Sequence, residues 1–165
     1  MEKADRLKQM RIFADFGDEE IREVARLALE KIYPAGGKIV KEGELGEGLF
    51  TIVEGEVNVT KKLPHSKDVE VLASLKAGDH FGEMGLIDGK IASATILALK
   101  PTICFVIKRK DYYDLLAQEP IVAMKLYRFY TKTLCDRLRR TDAFLLEELK
   151  KNKSVLKPGI FDGSA

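Results

Sequence analysis

The sequence has few of the residues from which catalytic and metal sites are built. Its 165 residues include two histidines, His65 and His80, two cysteines and no tryptophan. A metal site in a β-roll enzyme needs clustered histidines and a carboxylate, and nucleophilic triads also need a histidine. Both histidines are interpreted as ordinary surface or edge residues. The sequence therefore argues against an enzyme, a bound metal and a cofactor.

The cysteines and the lack of long apolar runs bear on location. Cys104 and Cys135 lie far apart without a CxxC spacing, which is typical of reduced, buried, structural thiols in a cytosolic protein. No apolar run approaches the ~20 residues that span a bilayer. The first ten residues are charged where a secretory signal needs an apolar stretch. We expect a cytoplasmic protein with no membrane association.

The charges are nearly balanced. Lysine and arginine number 28 against 26 aspartates and glutamates, so the formal net charge is only +2 and predicts no strong attraction to nucleic acid. The basic cluster Arg137, Arg139 and Arg140 is interpreted as a solvated helix face. A helix-turn-helix module after Lys150 would need several dozen residues, so no specific DNA binding is expected.

The pattern of apolar residues predicts a helix followed by many short strands. After an acidic start at Asp18–Glu20, apolar residues recur at helical spacing: Ile21, Val24, Ala25 and Ala28. This helix should end near Tyr33, because Pro34 follows. Between about 30 and 108, short β-branched runs alternate with glycine-containing turns, which favours a β sandwich or roll.

The C-terminal part returns to a helical pattern. We predict a short helix from about 111 and a long one from Ile121 to about Lys150. The long helix carries an apolar stripe at Tyr127, Tyr130, Leu134, Leu138, Thr141, Leu145 and Leu149. At ~1.5 Å per residue it is roughly 45 Å long, so its far end would extend beyond the roll. A homodimer through this helix would bury the stripe; alternatively, the stripe folds back on the roll.

These patterns together predict one domain and a tail. The domain covers 1–150, with the roll at about 30–108 and C-terminal helices at about 111–150. Residues 151–165 are rich in lysine, glycine and serine and are predicted to form a flexible tail.

The segment Phe81–Thr95, FGEMGLIDGKIASAT, is the most informative about function. It predicts a strand ending at Phe81, one helical turn and a new strand near Ser93. Free N–H groups at the start of the turn favour an anion, and Gly82 allows a ligand close to the backbone. Glu83 can accept hydrogen bonds from a sugar hydroxyl. Taken alone, these residues favour a tight turn with a surface carboxylate over a ligand site.

This segment resembles the phosphate-binding cassette of the cyclic-nucleotide-binding family, which includes the sensor domain of the catabolite activator protein and protein kinase A regulatory subunits. The matching positions are Phe81, Gly82, Glu83, Leu86, Ser93, Ala94 and Thr95. The likeness extends over about Phe13 to Lys150. It implies an α+β, mainly β fold: a jelly-roll-like double-stranded β-helix, or β-roll, with an N-terminal helix and a long C-terminal dimerisation helix. It also implies a regulatory domain whose ligand is cAMP or cGMP.

The resemblance implies ligand-binding roles for Gly82, Glu83, Met84, Gly85, Leu86, Ala92, Ser93 and Ala94. For Thr141 two interpretations stay open: a lid over the ligand, as in some members of the family, or a tolerated polar residue within the apolar stripe. One position departs from the family: Ala92 stands where an arginine contacts the cyclic phosphate. Losing one partner of a desolvated ion pair typically costs ~3–5 kcal/mol, a loss in affinity of roughly 10²- to 10³-fold or somewhat more. Lys90 can in principle reach the phosphate, but it is more typical of a solvated turn residue.

Two hypotheses follow. The first is a sensor that binds a cyclic nucleotide or related phosphate ligand, with weakened or altered affinity, and signals through its dimer helix to an unknown effector protein. The second is a degenerate, ligand-independent dimerisation and docking module. A third and less favoured interpretation is the sensor part of a transcription regulator without its DNA-binding domain.

Overall fold

The N-terminal part of the chain is helical. The structure, a computed structural model, describes residues 2–151. It begins with α1 (Lys3–Lys8), a 3₁₀ turn (Arg11–Phe13) and α2 (Asp18–Leu27). The predicted tail 151–165 lies outside the described residues, apart from Lys151.

Helix α2 is capped at both ends by side chains. Glu20 turns back toward the helix start, and its Oε2 accepts the Gly17 N–H at 2.6 Å. At the other end, Lys3 Nζ donates to the carbonyl oxygens of Ala25 and Ala28 at 3.1 and 2.7 Å. These contacts satisfy backbone groups that have no partner within the helix.

The helix predicted to reach Tyr33 ends earlier, at Leu27, so the predicted end is wrong. Residues Leu29–Tyr33 instead form strand β1, which pairs antiparallel with Thr102–Val106. Pairing with a distant strand supplies the backbone hydrogen bonds of this segment, and a helical pattern in the local sequence cannot anticipate it.

The described residues include eight strands, which form two four-stranded antiparallel sheets. The strands after β1 are β2 (Lys38–Val40), β3 (Gly48–Glu54), β4 (Glu56–Lys62), β5 (Val69–Lys76), β6 (His80–Phe81), β7 (Thr95–Ala98) and β8 (Thr102–Lys108). The strand orders are β1-β8-β3-β6 and β2-β7-β4-β5. This arrangement confirms the predicted mainly β roll.

An apolar cluster joins the two sheets. Its fully buried members are Phe50, Ile52, Val57, Phe81, Ile96, Cys104 and Val106. The rings of Phe50 and Phe81 stack with their centroids 4.8 Å apart, which fixes β6 against β3. The cassette segment begins at Phe81 itself, so the stack anchors its first residue.

The two cysteines differ in environment. Burial raises the pKa of the Cys104 thiol to about 12, as expected for an inert core residue. The prediction of burial is therefore confirmed for Cys104. It is wrong for Cys135, which is exposed.

The two histidines also differ. His65 lies in the exposed turn between β4 and β5. His80 lies on β6, at the edge of its sheet, where it pairs with Thr51 and is only 6% exposed. The interpretation of His80 as an edge residue is confirmed, but it is not a surface residue.

Three helices complete the described part of the chain. They are α3 (Glu83–Ile87), α4 (Arg109–Gln118) and α5 (Pro120–Lys151). The chain divides into two compact units, the first ending at Tyr127 and the second beginning at Arg128, and α5 contributes to both. Within residues 2–151, no helix is both long enough and apolar enough to cross a membrane.

Candidate ligand-binding site

The turn between β6 and α3 requires glycine. Gly82 has φ +90° and ψ −6°, the left-handed conformation that side chains disfavour. A Cβ atom there would lie 2.4 Å from the Gly48 carbonyl oxygen of β3. The start of α3 is therefore held against the backbone of β3. The close approach of a ligand predicted for Gly82 stays a prediction.

Glu83 is the first residue of α3 and is only 3% exposed. This burial excludes the interpretation of Glu83 as a surface carboxylate on a tight turn. A carboxylate inside a domain is costly unless hydrogen bonds compensate it. The structure thus places an acidic acceptor inside the roll where the resemblance predicted a sugar contact.

The rest of α3 alternates between buried and exposed positions. Leu86 is 2% exposed and anchors the helix, whereas Met84 is 47% exposed. A Cβ atom at Gly85 would lie 2.9 Å from the Lys90 carbonyl oxygen, so the chain after α3 folds back closely over this glycine.

The second half of the cassette lies along the β2–β3 loop (41–47). The Ala92 N–H donates to the Glu44 carbonyl at 2.8 Å, and the Gly43 N–H donates to the Ala92 carbonyl at 2.9 Å. Ala92 and Ala94 are half-buried, whereas Ser93 is exposed. Ala92 is therefore fixed by its backbone, independently of its side chain.

Helix α4 contributes two residues that sequence reasoning missed. Arg109 donates from Nε to the Gly46 carbonyl at 3.2 Å and from Nη1 to the Gly85 carbonyl at 3.0 Å. The Tyr113 hydroxyl donates to the Leu86 carbonyl at 2.7 Å. These bonds tie the cassette and the β2–β3 loop to α4. In sequence, Arg109 lies between two lysines and looks like part of a solvated charge run.

Lys90 behaves as the turn residue that the sequence favoured. It is exposed, and its backbone N–H donates to Asp88 Oδ1 at 3.0 Å. Thr141 lies on α5 in the second unit, and its hydroxyl donates to the Arg137 carbonyl one turn back at 3.0 Å. The lid role of Thr141 stays a prediction.

The fold and the cassette define a cyclic-nucleotide-binding domain. The model of the family described as "Cyclic nucleotide-binding domain" matches residues 30–119, more than half of the 165-residue chain. The chain belongs to this family, as the sequence resemblance indicated. Across the described residues, no group of three or more His, Cys, Asp or Glu side chains is placed to hold a metal ion.

Known relatives agree with this assignment. A cGMP-dependent protein kinase, isozyme 1, of Drosophila melanogaster is 32% identical over 67% of this chain and 15% of its own length. The cyclic AMP receptor protein of Thermus thermophilus is 28% identical over 87% of this chain and 66% of its own length. The crystal structure of a cyclic nucleotide-binding domain from Methylobacillus flagellatus KT has a TM-score of 0.77 and 30% identity, covering 96% of this chain and 85% of that one. The chain spans less than two thirds of both curated relatives.

Proposed function

We propose that this chain is a non-enzymatic regulatory domain that senses a ligand in a cyclic-nucleotide-type pocket with weakened or altered binding of cAMP and cGMP. The observation that carries the proposal is Ala92. It occupies the position of the family's phosphate-binding arginine and is held beside the β2–β3 loop by two backbone hydrogen bonds.

In this proposal the half of the cassette that matches the family pattern binds the sugar. The buried Glu83 carboxylate accepts a hydrogen bond from the ribose 2′-hydroxyl, which is strong because the acceptor is charged. Gly82 and Gly85 let β3 and the chain at Lys90 pack closely against α3 and so hold it in place, and the Ser93 hydroxyl contributes a polar contact to the ligand. Met84, Leu86 and Ala94 complete the wall of the pocket.

In this proposal the half of the pocket that would bind the cyclic phosphate has lost affinity. Without a guanidinium at 92, a cyclic phosphate loses a bidentate, charge-assisted partner. Lys90 does not replace it in this proposal, because its exposed side chain would have to leave solvent and lose its conformational freedom. We therefore expect affinity for cyclic nucleotides well below that of a domain with the arginine.

The proposed signalling unit is a homodimer through α5. Leu134, Leu138 and Leu145 are 37%, 61% and 42% exposed, and these leucines would be buried by a second copy. If two α5 helices pair in parallel as a coiled coil, Leu138 and Leu145 lie one heptad apart at equivalent core positions between the helices. Arg137 and Asp142 then take flanking positions where opposite charges meet across the dimer. The effector protein that receives the signal is not identified, and no specific DNA binding is proposed.

A second candidate is the ligand-independent docking module. It is favoured by exposed apolar side chains on the cassette itself: Met84, Ile87 and Ile91 are 47%, 40% and 59% exposed. A protein partner can cover such side chains without any small ligand. The cytoplasmic location expected from the sequence stays a prediction under both candidates.

Calorimetric titration with cAMP and cGMP tests the proposal, using the wild type and Ala92→Arg. We expect weak or undetectable binding by the wild type and a roughly 10²- to 10³-fold gain in Ala92→Arg, since the ion pair is restored. Ala92→Gln is the control, because it adds a long polar side chain without charge and should bring little gain.

Two results would count against the proposal. Low-micromolar binding of cAMP or cGMP by the wild type would mean that Glu83, Ser93 and backbone donors suffice and that affinity is not weakened. Absence of any gain in a folded Ala92→Arg variant would mean that the whole pocket is degenerate, which supports the docking module.

A further inference from the structure

We propose that the ligand of this pocket is an uncharged nucleoside rather than a cyclic nucleotide. This inference rests on the proposed function, because it uses the same pocket, and it specifies the chemical class of ligand that the altered cassette accepts.

The chain around Ala92 is acidic. The two segments that pair there, 41–47 and 82–95, contain five acidic residues and two lysines, a formal charge of −3. The acidic residues are Glu42, Glu44, Glu47, Glu83 and Asp88. Counting Lys31, which pairs with Glu47, and Arg109, which donates to the Gly46 and Gly85 carbonyls, the local formal charge is −1. An incoming phosphate would be repelled by this remaining surplus, and the repulsion is largest where burial lowers the effective dielectric constant, as at Glu83.

Three of the neighbouring cations, Lys31, Lys41 and Arg109, already have partners. Lys41 Nζ lies 3.5 Å from Glu44 Oε1, and Lys31 Nζ lies 2.5 Å from Glu47 Oε1. The Arg109 guanidinium donates to the carbonyls of Gly46 and Gly85, so using it for a phosphate would break the bonds that hold the cassette to α4. A phosphate would therefore recruit Lys41, Lys31 or Arg109 only by disrupting existing contacts, and would recruit Lys90 only by drawing its exposed side chain out of solvent.

The side chains at the former phosphate position are small and apolar. Ala92 and Ala94 are half-buried, and neither offers a hydrogen bond from its side chain. Transfer of an ionised phosphate from water to such a surface is costly, since no group replaces its hydration. A neutral ligand avoids this cost.

A nucleoside keeps the contacts that the pocket still offers. Its ribose hydroxyls donate to the buried Glu83 carboxylate, a charge-assisted hydrogen bond that needs no cation. Its free 5′-hydroxyl, which is esterified in a cyclic nucleotide, can donate to or accept from the Ser93 hydroxyl. Removing the phosphate thus removes the repulsion and retains the sugar recognition.

The test compares matched pairs of ligands by calorimetry on the full chain: adenosine with cAMP, and guanosine with cGMP. The wild type should bind one nucleoside at least about tenfold more tightly than its cyclic counterpart, because one uncompensated charge is absent. Ala92→Arg should reverse this preference, and Ala92→Gln should retain it. Glu83→Gln should weaken nucleoside binding about tenfold or more by removing the charged acceptor.

The outcomes separate this inference from the function on which it rests. Tighter binding of the cyclic nucleotide by the wild type would overturn the inference and leave a working cyclic-nucleotide pocket. Binding of cyclic nucleotides by Ala92→Arg, with no nucleoside bound by the wild type, would also overturn it while showing an intact pocket. No binding of any of the four ligands by either protein would overturn both.

Discussion

At the scale of single residues, the cassette is set by close backbone contacts that glycine alone permits. Gly82 combines a left-handed backbone with a Cβ position 2.4 Å from the Gly48 carbonyl oxygen. Gly89, at the other end of the cassette turn, also has a left-handed backbone, with φ +71°, but no atom lies within 4 Å of its Cβ position. Substitution of Gly89 therefore measures the cost of placing a side chain on a left-handed backbone, and substitution of Gly82 measures that cost together with steric crowding.

We expect Gly82→Ala to destabilise the protein by about 2–4 kcal/mol and Gly89→Ala by only about 1 kcal/mol. The larger loss at Gly82 arises because β3 or α3 must shift to relieve the contact with a backbone atom. Urea unfolding monitored by circular dichroism measures both values. Equal losses in the two variants would contradict the steric role of Gly48.

The sequence predicted the cassette residues well and their supporting residues poorly. The spacing of Gly82 and Glu83 after Phe81 marked the turn correctly, since the requirement for glycine is local. Burial of Glu83 and His80 was not predictable, because it depends on β6 pairing with β3. Arg109 was missed because its bonds reach carbonyls 24 and 63 residues away.

At the scale of elements, one ion pair joins α2 to the first turns of α5. Lys125 Nζ lies 2.8 and 2.6 Å from the two Glu20 carboxylate oxygens, and it also lies over the Phe16 ring. Burial raises the pKa of Glu20, but the Lys125 ammonium and the Gly17 N–H lower it more, so the net pKa is below its usual value. A lowered pKa means that the folded state favours the ionised carboxylate.

The lowered pKa of Glu20 determines how the stability contributed by the Glu20–Lys125 ion pair depends on pH. Its stabilisation is fully present above the unfolded pKa, near 4.5, and is lost as pH falls through the lower folded pKa. Glu20→Gln should therefore cost about 1–2 kcal/mol at pH 7 and almost nothing in strong acid. Thermal melts of both proteins between neutral and acid pH measure the difference.

Glu19→Gln is the matched control, because Glu19 is 94% exposed and its nearest cation, Arg22, lies 4.0 Å away. This variant should melt like the wild type at every pH. A stability difference for Glu20→Gln that stays constant from pH 7 to strong acid would contradict the ionic role of Glu20.

Element boundaries were predictable where the signal is local. The last helix was predicted from Ile121, and α5 begins one residue earlier, at Pro120, because proline lacks only an N–H that this position does not use. The end of α2 was mispredicted since the strand pairing of Leu29–Tyr33 competes with its helical pattern. That competition is decided by β8, which lies some 70 residues further along the chain.

At the scale of the whole molecule, the proposed homodimer depends on the exposed part of the α5 stripe. Leu138 and Leu146 are almost equally exposed, at 61% and 59%, but only Leu138 lies on the stripe. Leu138→Ser should weaken dimerisation at least about tenfold through lost apolar burial, whereas Leu146→Ser should have little effect. Sedimentation equilibrium of the wild type and both variants measures the dimer dissociation constants. A monomeric wild type, or equal loss in both variants, would contradict a dimer through this stripe.

The attachment of Ala92 has a consequence for how such a domain can change over evolutionary time. Both hydrogen bonds of Ala92 are made by its own backbone, and its side chain is half-buried. Replacement of this residue by a charged one would therefore alter the charge presented to the proposed ligand, with little effect on folding. Mutations at 92 can accumulate almost neutrally with respect to stability, so a lineage can exchange one signalling molecule for another without first rebuilding the protein that detects it.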